Sequence, residues 1–285
     1  MTGAGENLRA AGRSGLPLAV VIGAAGGMGA ACARRLGQAH RVLLADRDED
    51  AAARIAEQMA ADGQEAEAAA CDVTDPASLD RLFERAATLG GVRSLAHVVG
   101  LSPSMASGNR ILDVNLAGAA RTAAAALPRM TAGGAAVFIS SLAAHGAPPG
   151  ADMTAVLDDP LAPDLLERIG AVHGGEPDPR SAYQLSKFGL NRMCRHLAAP
   201  WGARGARIVS LSPGLIRTPM GDLEFGAGPH KLELLARTPL QRQGSLVEIA
   251  DALEFLLSDR ASFINGTDLL VDGGIAAALA FPRGN

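Results

Sequence analysis

An uninterrupted apolar run, Leu18–Ile22, stops at a cluster of glycines, and the residues that follow have helical preference. The run has no helical spacing and suits a strand that is buried on both faces. Residues 30–36 are rich in helix formers, so the glycines mark a tight turn between a strand and a helix. Amide N–H groups at the start of such a helix bind phosphate groups. The sequence therefore predicts a dinucleotide site at Gly23, Gly27, Met28 and Gly29.

The composition fits one large α/β domain without a polyanionic partner. The 285 residues are 48% hydrophobic and 20% charged, which is enough to bury a full core. The formal net charge is -4, with no recurrent cluster of basic residues, and this argues against a nucleic-acid partner. The cysteines and histidines lack the spacing of metal ligands or of a disulfide framework. We therefore expect buried thiols, no metal site and a reducing, cytoplasmic compartment.

The N-terminal residues imitate a secretory signal, because Arg9 and Arg13 precede an apolar stretch, 16–28. We reject that interpretation, since cleavage would remove the first strand and its glycine turn. The glycines also make a poor membrane span. We expect residues 1–15 to form a mobile extension and residues 16–285 to form the dinucleotide-binding domain, with no membrane partner.

Strand and helix patterns alternate along the rest of the chain. Further strands are predicted at 41–45, 67–71, 95–99, 135–139, 206–211 and 268–271. Helices are predicted at 49–61, 76–88, 109–128, 181–199 and 245–257. This alternation indicates an α/β fold with a doubly wound parallel sheet and helices on both faces.

Two stretches interrupt the alternation. Residues 145–180 are rich in proline, glycine and acidic residues, contain a short helical piece near 162–169, and are too long for an ordinary connection. This insertion is interpreted as a lid over the substrate, a modified subunit contact or a tolerated surface excursion. Residues 221–243 form a half-apolar loop that suggests a mobile substrate cover.

The end of the second strand bears on the choice of dinucleotide. Asp46 lies 17 positions after Gly29, near the spacing at which an acidic residue binds the adenosine ribose hydroxyls. Its charge would repel a 2′-phosphate, so NAD is favoured over NADP. Arg47 leaves NADP open, because a guanidinium one residue later can accept that phosphate. At the end of the third strand, Asp72 is expected to face the adenine.

Candidate proton-transfer groups lie in the second half of the chain. Tyr183 and Lys187 are four positions apart on a predicted helix, which places both side chains on one face. An isolated phenol has a pKa of about 10, too high for a base near neutral pH, and an adjacent ammonium group favours the phenolate. Ser140 and Ser141 follow the fifth strand, at the edge where open α/β sheets bind ligands.

Motifs along nearly the whole chain, 17–274, together resemble the short-chain dehydrogenase/reductase family. They are Gly23-xxx-Gly27-x-Gly29, Asp72-Val73, Asn115, Ser141, Tyr183-xxx-Lys187, Pro213-Gly214 with Thr218, and Asp272-Gly273-Gly274. The resemblance implies a Rossmann-like sheet of seven parallel strands. It also implies hydride transfer between nicotinamide and a carbonyl or alcohol carbon.

The same resemblance implies a role for each site residue. Tyr183 would be the acid and base, Lys187 would favour its phenolate and hold the nicotinamide ribose, and Ser141 would orient the reacting oxygen. Asn115 would support a water-linked proton path to Lys187. The implied cofactor contacts are Gly23, Gly27, Met28, Gly29, Asp46, Arg47, Asp72, Val73, Gly100, Tyr183, Lys187, Pro213, Gly214, Ile216 and Thr218.

The chain departs from the usual family pattern in two places. His97-Val98-Val99-Gly100 stands where an Asn-Asn-Ala-Gly type segment is usual. Ser141 and Tyr183 lie 42 positions apart, further than family members commonly have, which puts the usual helix-pair subunit interface in question. The insertion and the segment 100–103 look similar to the 3α-hydroxysteroid dehydrogenase/carbonyl reductase subgroup. A homodimer or homotetramer is expected.

Three functions are weighed. The first is an NAD-dependent alcohol dehydrogenase or ketone reductase acting on a fairly apolar secondary alcohol, of steroid-like or other cyclic type. The second is a regulatory protein that binds NAD without turnover, which the retained Ser141, Tyr183 and Lys187 disfavour. The third, an isomerase or dehydratase of the related nucleotide-sugar group, is disfavoured by the lack of a C-terminal substrate domain.

Overall fold

The computed structural model describes residues 15–217 and 229–281. Its strands are β1 (Leu18–Ile22), β2 (Arg41–Asp46), β3 (Ala66–Ala70), β4 (Val92–His97), β5 (Met130–Ile139), β6 (Arg207–Pro213) and β7 (Asp268–Val271). They form one sheet in the order β3-β2-β1-β4-β5-β6-β7, and all neighbours are parallel. The order reverses between β1 and β4, where open α/β sheets bind ligands. The predicted Rossmann-like fold is therefore confirmed.

Helices fill the connections between the strands. They are α1 (Gly27–Leu36), α2 (Glu49–Ala61), α3 (Pro76–Thr88), α4 (Gly108–Leu112), α5 (Gly118–Ala126), α6 (Ala151–Leu157), α7 (Leu165–His173), α8 (Pro179–His196), α9 (Ala198–Ala203), α10 (Pro229–Arg237), α11 (Leu246–Leu257) and α12 (Ile275–Ala280). A π-helical segment, Asp113–Ala117, joins α4 to α5, and a 3-10 turn, Leu142–His145, follows β5.

Local sequence signals explain where several helices begin. The Asp48 side chain accepts a hydrogen bond at the start of α2, and Asp75 does the same before Pro76 at the start of α3. Ser245 and Glu248 form a capping box that begins α11. These caps satisfy backbone N–H groups that have no partner within the helix.

Helices cover both faces of the sheet, and each face has its own apolar core. On one face, α3, α5 and α8 bury side chains such as Phe83 and Leu190. On the other face, α1, α2 and α11 bury Leu36, Met59 and Leu253. A fully buried side chain of this size contributes roughly 1.5–3 kcal/mol relative to an exposed one. The two layers therefore hold the strand ends, and the site on them, in fixed positions.

The insertion after β5 builds a third apolar cluster against α4, the π-helical segment and α8. Leu157 of α6 and Ile169 of α7 are fully buried in it, together with Leu116. Arg192 of α8 forms a bidentate ion pair with Asp158 at the end of α6. The insertion is thus packed on the two helical elements that carry Asn115 and Tyr183.

Several predicted boundaries are wrong. The helical piece predicted near 162–169 is α7, Leu165–His173, and a second helix that was not predicted, α6, precedes it. The helix at 109–128 contains the π-helical segment. The strand at 95–99 is Val92–His97, because its register is fixed by pairing with β1 and β5. Part of the loop at 221–243 is the helix α10. Thr218 lies outside the described residues, as does most of the proposed extension 1–15, which stays a prediction.

None of the helices in the described ranges is long and apolar enough to cross a membrane. The three cysteines are buried, and burial raises the pKa of Cys32 and Cys71 to about 12. Within the same ranges, no group of three His, Cys, Asp or Glu side chains could hold a metal ion.

Candidate active site

Tyr183 and Lys187 lie in the first half of α8. Asp178 accepts hydrogen bonds from the backbone N–H groups of Arg180 and Ser181, and Pro179 opens the helix, so its start is well defined. The Lys187 Nζ atom lies 5.8 Å from the centre of the Tyr183 ring. The structure therefore places the phenol and the ammonium on one face of α8, as their spacing predicts.

Two hydrogen bonds tie Lys187 to the end of β5. Its Nζ donates to the backbone oxygen of Ile139 at 2.9 Å, and the Ser140 hydroxyl donates to the backbone oxygen of Lys187 at 3.2 Å. Both bonds are buried, and Ser141 is the next residue along the chain. This pair of contacts fixes the end of β5, and the turn that follows Ser141, against α8.

Lys187 is 2% exposed, and this burial lowers the pKa of its side chain from 10.5 to about 8. The group is still mainly protonated at pH 7. A charged ammonium in this position faces the Tyr183 ring without bulk water around it.

The Ser141 side chain belongs to a short turn. Its hydroxyl oxygen accepts from the backbone N–H of Ala143 at 3.1 Å and caps the turn Leu142–His145, which packs on α8. Ser141 is partly exposed, whereas Ser140 is buried and committed to the backbone of Lys187. Of the two serines, Ser141 has the hydroxyl that can reach a substrate.

Asn115 sits in the π-helical segment, fully buried. Its carboxamide accepts from the backbone N–H of Leu101 at 2.7 Å and donates to the backbone oxygen of the same residue at 3.0 Å. It also donates to the Ser186 hydroxyl at 3.4 Å, and that hydroxyl donates to the backbone oxygen of Tyr183. Asn115 therefore connects the loop after β4 to α8. A π-helical turn is a frequent feature of functional sites.

Gly100 keeps the space beside Lys187 open. A Cβ atom at this position would lie 3.3 Å from the Lys187 Nζ and 3.7 Å from the Asn115 Oδ1. A larger side chain at this position would crowd the ammonium group.

The glycine turn after β1 is built for close backbone approach. Gly23 has φ +87°, and a Cβ atom on Gly29 would lie only 2.0 Å from the Gly23 backbone oxygen. Helix α1 starts at Gly27, followed by Met28, and no side chain caps its N-terminus. The first N–H groups of the helix are therefore available to an anion.

Asp46 ends β2 and braces this turn. Its carboxylate accepts from the backbone N–H of Ala25 at 2.9 Å and from that of Asp48 at 3.0 Å. Arg47, the next residue, is exposed. Asp46 thus lies beside the glycine turn, where its spacing predicted it, and it also has a structural task that the spacing did not reveal.

The remaining predicted cofactor contacts that the structure describes lie at the same end of the sheet. Asp72 accepts from the N–H and the hydroxyl of Thr74, and these bonds lower the pKa of its carboxyl group although partial burial acts in the opposite direction. Val73, the next residue, is buried. Pro213 ends β6, the Gly214 N–H donates to the Val271 backbone oxygen, and Ile216 forms an isolated bridge with Gly244.

His97 is a buried residue of β4, and it is close enough to Lys187 for the ammonium charge to act on its imidazole. Burial, with a smaller contribution from the Lys187 charge, lowers the pKa of its imidazole to about 3, so the ring is neutral. It stacks at 5.0 Å on Phe138 of the neighbouring strand. His97 is the last residue of β4.

An open cavity of about 440 Å³ lies between the insertion and α8. Its walls are mostly apolar, with Asp152 and His173 as polar exceptions; the others include Pro149, Met153, Val172 and Leu185. Neither Ser141 nor Tyr183 lines it, so the cavity lies beside the candidate catalytic groups rather than over them.

Sequence reasoning missed the supporting polar residues. The Ser140 and Ser186 hydroxyls and the carboxylate of Asp268 hold the site through contacts between residues far apart in the chain. Only the position of Ser140, beside Ser141 at the end of the fifth strand, gave any signal, and it did not reveal the contact with Lys187.

Comparison with protein families covers most of the chain. Residues 17–153 match a family described as short chain dehydrogenase, and residues 168–276 match one described as Enoyl-(Acyl carrier protein) reductase. Together the two matched segments include the glycine turn and the Tyr183 helix.

Individual proteins are similar over most of their length. Short-chain dehydrogenase/reductase bsc3 of Alternaria brassicicola is 35% identical, covering 92% of this chain and 96% of the relative. The 3-alpha-hydroxysteroid dehydrogenase/carbonyl reductase of Comamonas testosteroni is 33% identical, over 66% of this chain and 74% of the relative. A solved short chain dehydrogenase of Burkholderia cenocepacia, in complex with NADP, superposes with a TM-score of 0.72 at 25% identity, covering 91% of this chain and 97% of that one.

Proposed function

Because the chain belongs to the short-chain dehydrogenase/reductase family, we propose that it transfers a hydride between NAD(H) and an apolar, cyclic or steroid-like secondary alcohol or ketone. Family membership makes it a nicotinamide-dependent oxidoreductase. The proposed part is the choice of NAD, the substrate and the site residues. The observation that supports the site is the pair of hydrogen bonds that joins the end of β5, next to Ser141, to Lys187 on the helix of Tyr183.

The residues at the sheet edge fit a dinucleotide, because the glycine turn leaves no room for a Cβ atom and the start of α1 has no side-chain cap. The pyrophosphate is assigned to Gly23, Gly27, Met28 and Gly29, and the nicotinamide ribose to Tyr183 and Lys187. The other assigned contacts are Asp46, Arg47, Asp72, Val73, Gly100, Pro213, Gly214, Ile216 and Thr218. When bound, the nicotinamide supplies or accepts the hydride.

The chain itself moves the proton. In reduction, the Tyr183 hydroxyl gives its proton to the carbonyl oxygen, and in oxidation its phenolate takes the proton from the alcohol. The ammonium of Lys187, 5.8 Å from the ring centre, stabilises the phenolate by its charge. The Ser141 hydroxyl donates a hydrogen bond to the reacting oxygen. Asn115 supports the proton path to Lys187 by holding the loop at Leu101.

NAD is proposed over NADP because of Asp46. Its carboxylate lies at the glycine turn, held by the backbone N–H groups of Ala25 and Asp48. A 2′-phosphate placed against this charge would be repelled. Arg47 is exposed and offers the competing contact.

An apolar substrate is proposed because the surroundings of Tyr183 are apolar. Tyr183 packs against the third cluster together with Leu101 and Phe188, and the neighbouring cavity is lined mainly by carbon. Binding in such surroundings removes apolar surface from water. The insertion is interpreted as the wall that defines this space.

Assembly and location are also proposals. The insertion covers the α4 and α8 helix pair, so we expect a homodimer or homotetramer that uses another face. The cytoplasmic location stays a prediction from the scattered cysteines. The named relatives are dehydrogenases or reductases, and they give no support to the regulatory alternative.

The function is tested by following the absorbance of reduced nicotinamide with the purified protein. NAD or NADP is supplied with a panel of cyclic secondary alcohols, linear secondary alcohols and polyols at equal concentration. We expect turnover with NAD. We also expect a kcat/KM at least tenfold higher for cyclic alcohols than for polyols, because each methylene group buried in an apolar site contributes about 1 kcal/mol or more to binding. Cofactor binding without turnover of any alcohol or ketone would contradict the proposal.

A further inference from the structure

His145 ends the turn that begins at Ser141, and its side chain reaches across to β7. The His145 Nε2 atom lies 2.9 Å from a carboxylate oxygen of Asp268. The other oxygen of that carboxylate accepts from the Ser212 hydroxyl at 3.0 Å. The three residues come from the turn after β5, from β6 and from β7, so the contact joins three separate segments of the chain.

The carboxylate of Asp268, which accepts this hydrogen bond, is held in a fixed position. The Asp268 side chain is 3% exposed, and Ser212 is fully buried within β6. A carboxylate taken out of water needs donors on both oxygens, and here each oxygen has one. The His145 side chain is 27% exposed, and His145 is the only one of these three residues that lies outside the sheet. Asp268 is therefore the fixed anchor, and His145 is the group that it holds.

The contact lies at the junction between the serine turn and the insertion. Ser141 caps the turn at one end by accepting from Ala143, and His145 closes it at the other end. Gly146 and the proline-rich start of the insertion follow directly. Movement of the insertion would reach Ser141 through these few residues unless the turn is fixed at His145.

We propose that His145 is a positioning residue, which holds the Ser141 hydroxyl in the place proposed for it in catalysis by anchoring the turn to Asp268. This inference rests on the proposed role of Ser141. It assigns to His145 no contact with the substrate or the cofactor. A hydroxyl that is displaced by a fraction of an ångström to an ångström loses much of its value in orienting a reacting oxygen.

Three variants test whether the position needs an N–H group that reaches Asp268 or only a side chain of some kind. His145→Ala removes the donor. His145→Gln keeps an amide N–H at about the reach of Nε2, whereas His145→Asn carries its amide at the shorter reach of Nδ1. We expect His145→Ala and His145→Asn to lower kcat about tenfold with KM for NAD unchanged, and His145→Gln to recover most of that loss.

A double-mutant cycle tests whether the effect passes through Ser141. In a Ser141→Ala background, His145→Ala should change kcat less than twofold, because the hydroxyl that it positions is absent. The same tenfold loss in both backgrounds would overturn the inference, and so would a His145→Gln variant as slow as His145→Ala.

A readout without turnover keeps this test independent of the proposed function. Amide hydrogen exchange of the segment 141–145 should be faster in His145→Ala and His145→Asn than in the wild type, and restored in His145→Gln. If the wild type shows no turnover but the exchange follows this order, the proposed function fails and the anchoring stands. Unchanged exchange in all three variants would overturn the anchoring itself.

Discussion

At the scale of single residues, the site depends on a cation that is held away from water. Lys187 is 2% exposed, and one backbone oxygen, that of Ile139, accepts from its ammonium group. Burial of a charge costs stability unless it is compensated, and here the pKa of the side chain falls to about 8. The protein tolerates this cost at the residue that would stabilise a phenolate on Tyr183.

Lys187→Met should therefore stabilise the fold near neutral pH while it abolishes activity. The depressed pKa means that the cost is fully present below pH 8 and is relieved as the pH rises from 8 towards the unfolded value of 10.5. Each pKa unit corresponds to about 1.4 kcal/mol, and the lost hydrogen bond to Ile139 offsets part of this gain. The variant should therefore be roughly 1–2 kcal/mol more stable than the wild type at pH 7. Denaturant unfolding should show that the difference in free energy of unfolding between variant and wild type is about 2 kcal/mol smaller at pH 9.5 than at pH 7. An advantage independent of pH would contradict the account.

Asp46→Ala should weaken NAD binding and reduce the preference for NAD over NADP. The change removes both the charge that repels a 2′-phosphate and the brace on Ala25 in the glycine turn. A loss of about tenfold or more in NAD affinity is expected, by the typical cost of a hydrogen bond to a charged group. Titration of both cofactors measures it.

Asp48→Ala is the matched control for this measurement. Its carboxylate caps α2 by accepting from Ala51 and makes no contact with the glycine turn. The control should therefore keep the cofactor preference of the wild type. A strong NADP preference in the unmodified protein would show that Arg47 outweighs Asp46.

The sequence could predict the site residues whose relation is local. Tyr183 and Lys187 share a helix face by spacing alone, and Gly23 to Gly29 lie within one turn. The contact of Ser140 with Lys187 and that of His145 with Asp268 join residues 47 and 123 positions apart. No local pattern encodes such pairs, because they depend on how β5, β6 and β7 line up in the sheet.

At the scale of elements, boundaries that carry a local chemical signal are predicted correctly, and boundaries that depend on strand pairing are not. The helix α11 begins as predicted, because Ser245 and Glu248 mark its start chemically. Strand β1 matches its predicted range, because a run buried on both faces is bounded by a proline and a glycine. Strand β5 starts at Met130, five residues before its predicted start, since pairing with β4 continues there across a register shift that the glycine-rich segment does not reveal.

The insertion shows what sequence patterns could not predict. Helix α6 has only seven residues, and its apolar side chains Met153, Val156 and Leu157 are buried against α4 and α8 rather than against the sheet. The π-helical segment at Asn115 is similarly a product of packing between elements.

The ion pair of Arg192 with Asp158 should hold the insertion on α8. Arg192→Met keeps most of the apolar stem and removes the bidentate contact. Because both side chains are more than a quarter exposed, only about 1 kcal/mol of stability should be lost. Amide exchange of α6 should accelerate, and KM for an apolar alcohol should rise more than kcat falls.

Arg168→Met is the control for the insertion. Arg168 pairs with Asp159, which is largely exposed, so this pair should contribute little. If both variants leave the exchange of α6 unchanged, the ion pair does not hold the insertion in place.

At the scale of the whole molecule, the candidate site residues lie along one edge of the sheet, at the carboxyl ends of the strands. The glycine turn follows β1, Asp46 ends β2, Ser141 follows β5 and Pro213 ends β6. Parallel strands bring all of these ends to one side, next to the reversal between β1 and β4. The two buried helix layers support that edge, and the insertion packs next to it on α4, the π-helical segment and α8.

The central claim is that Tyr183 transfers the proton, while most of the contacts that bind the cofactor come from other residues. The most direct measurement compares wild type and Tyr183→Phe for hydride transfer and for NAD binding in the same preparation. We predict that kcat/KM falls by about 10²–10⁴, the usual contribution of a general acid or base, while NAD affinity and the unfolding midpoint change little. A fall in kcat/KM of no more than about threefold would be far smaller than that range and would contradict the account.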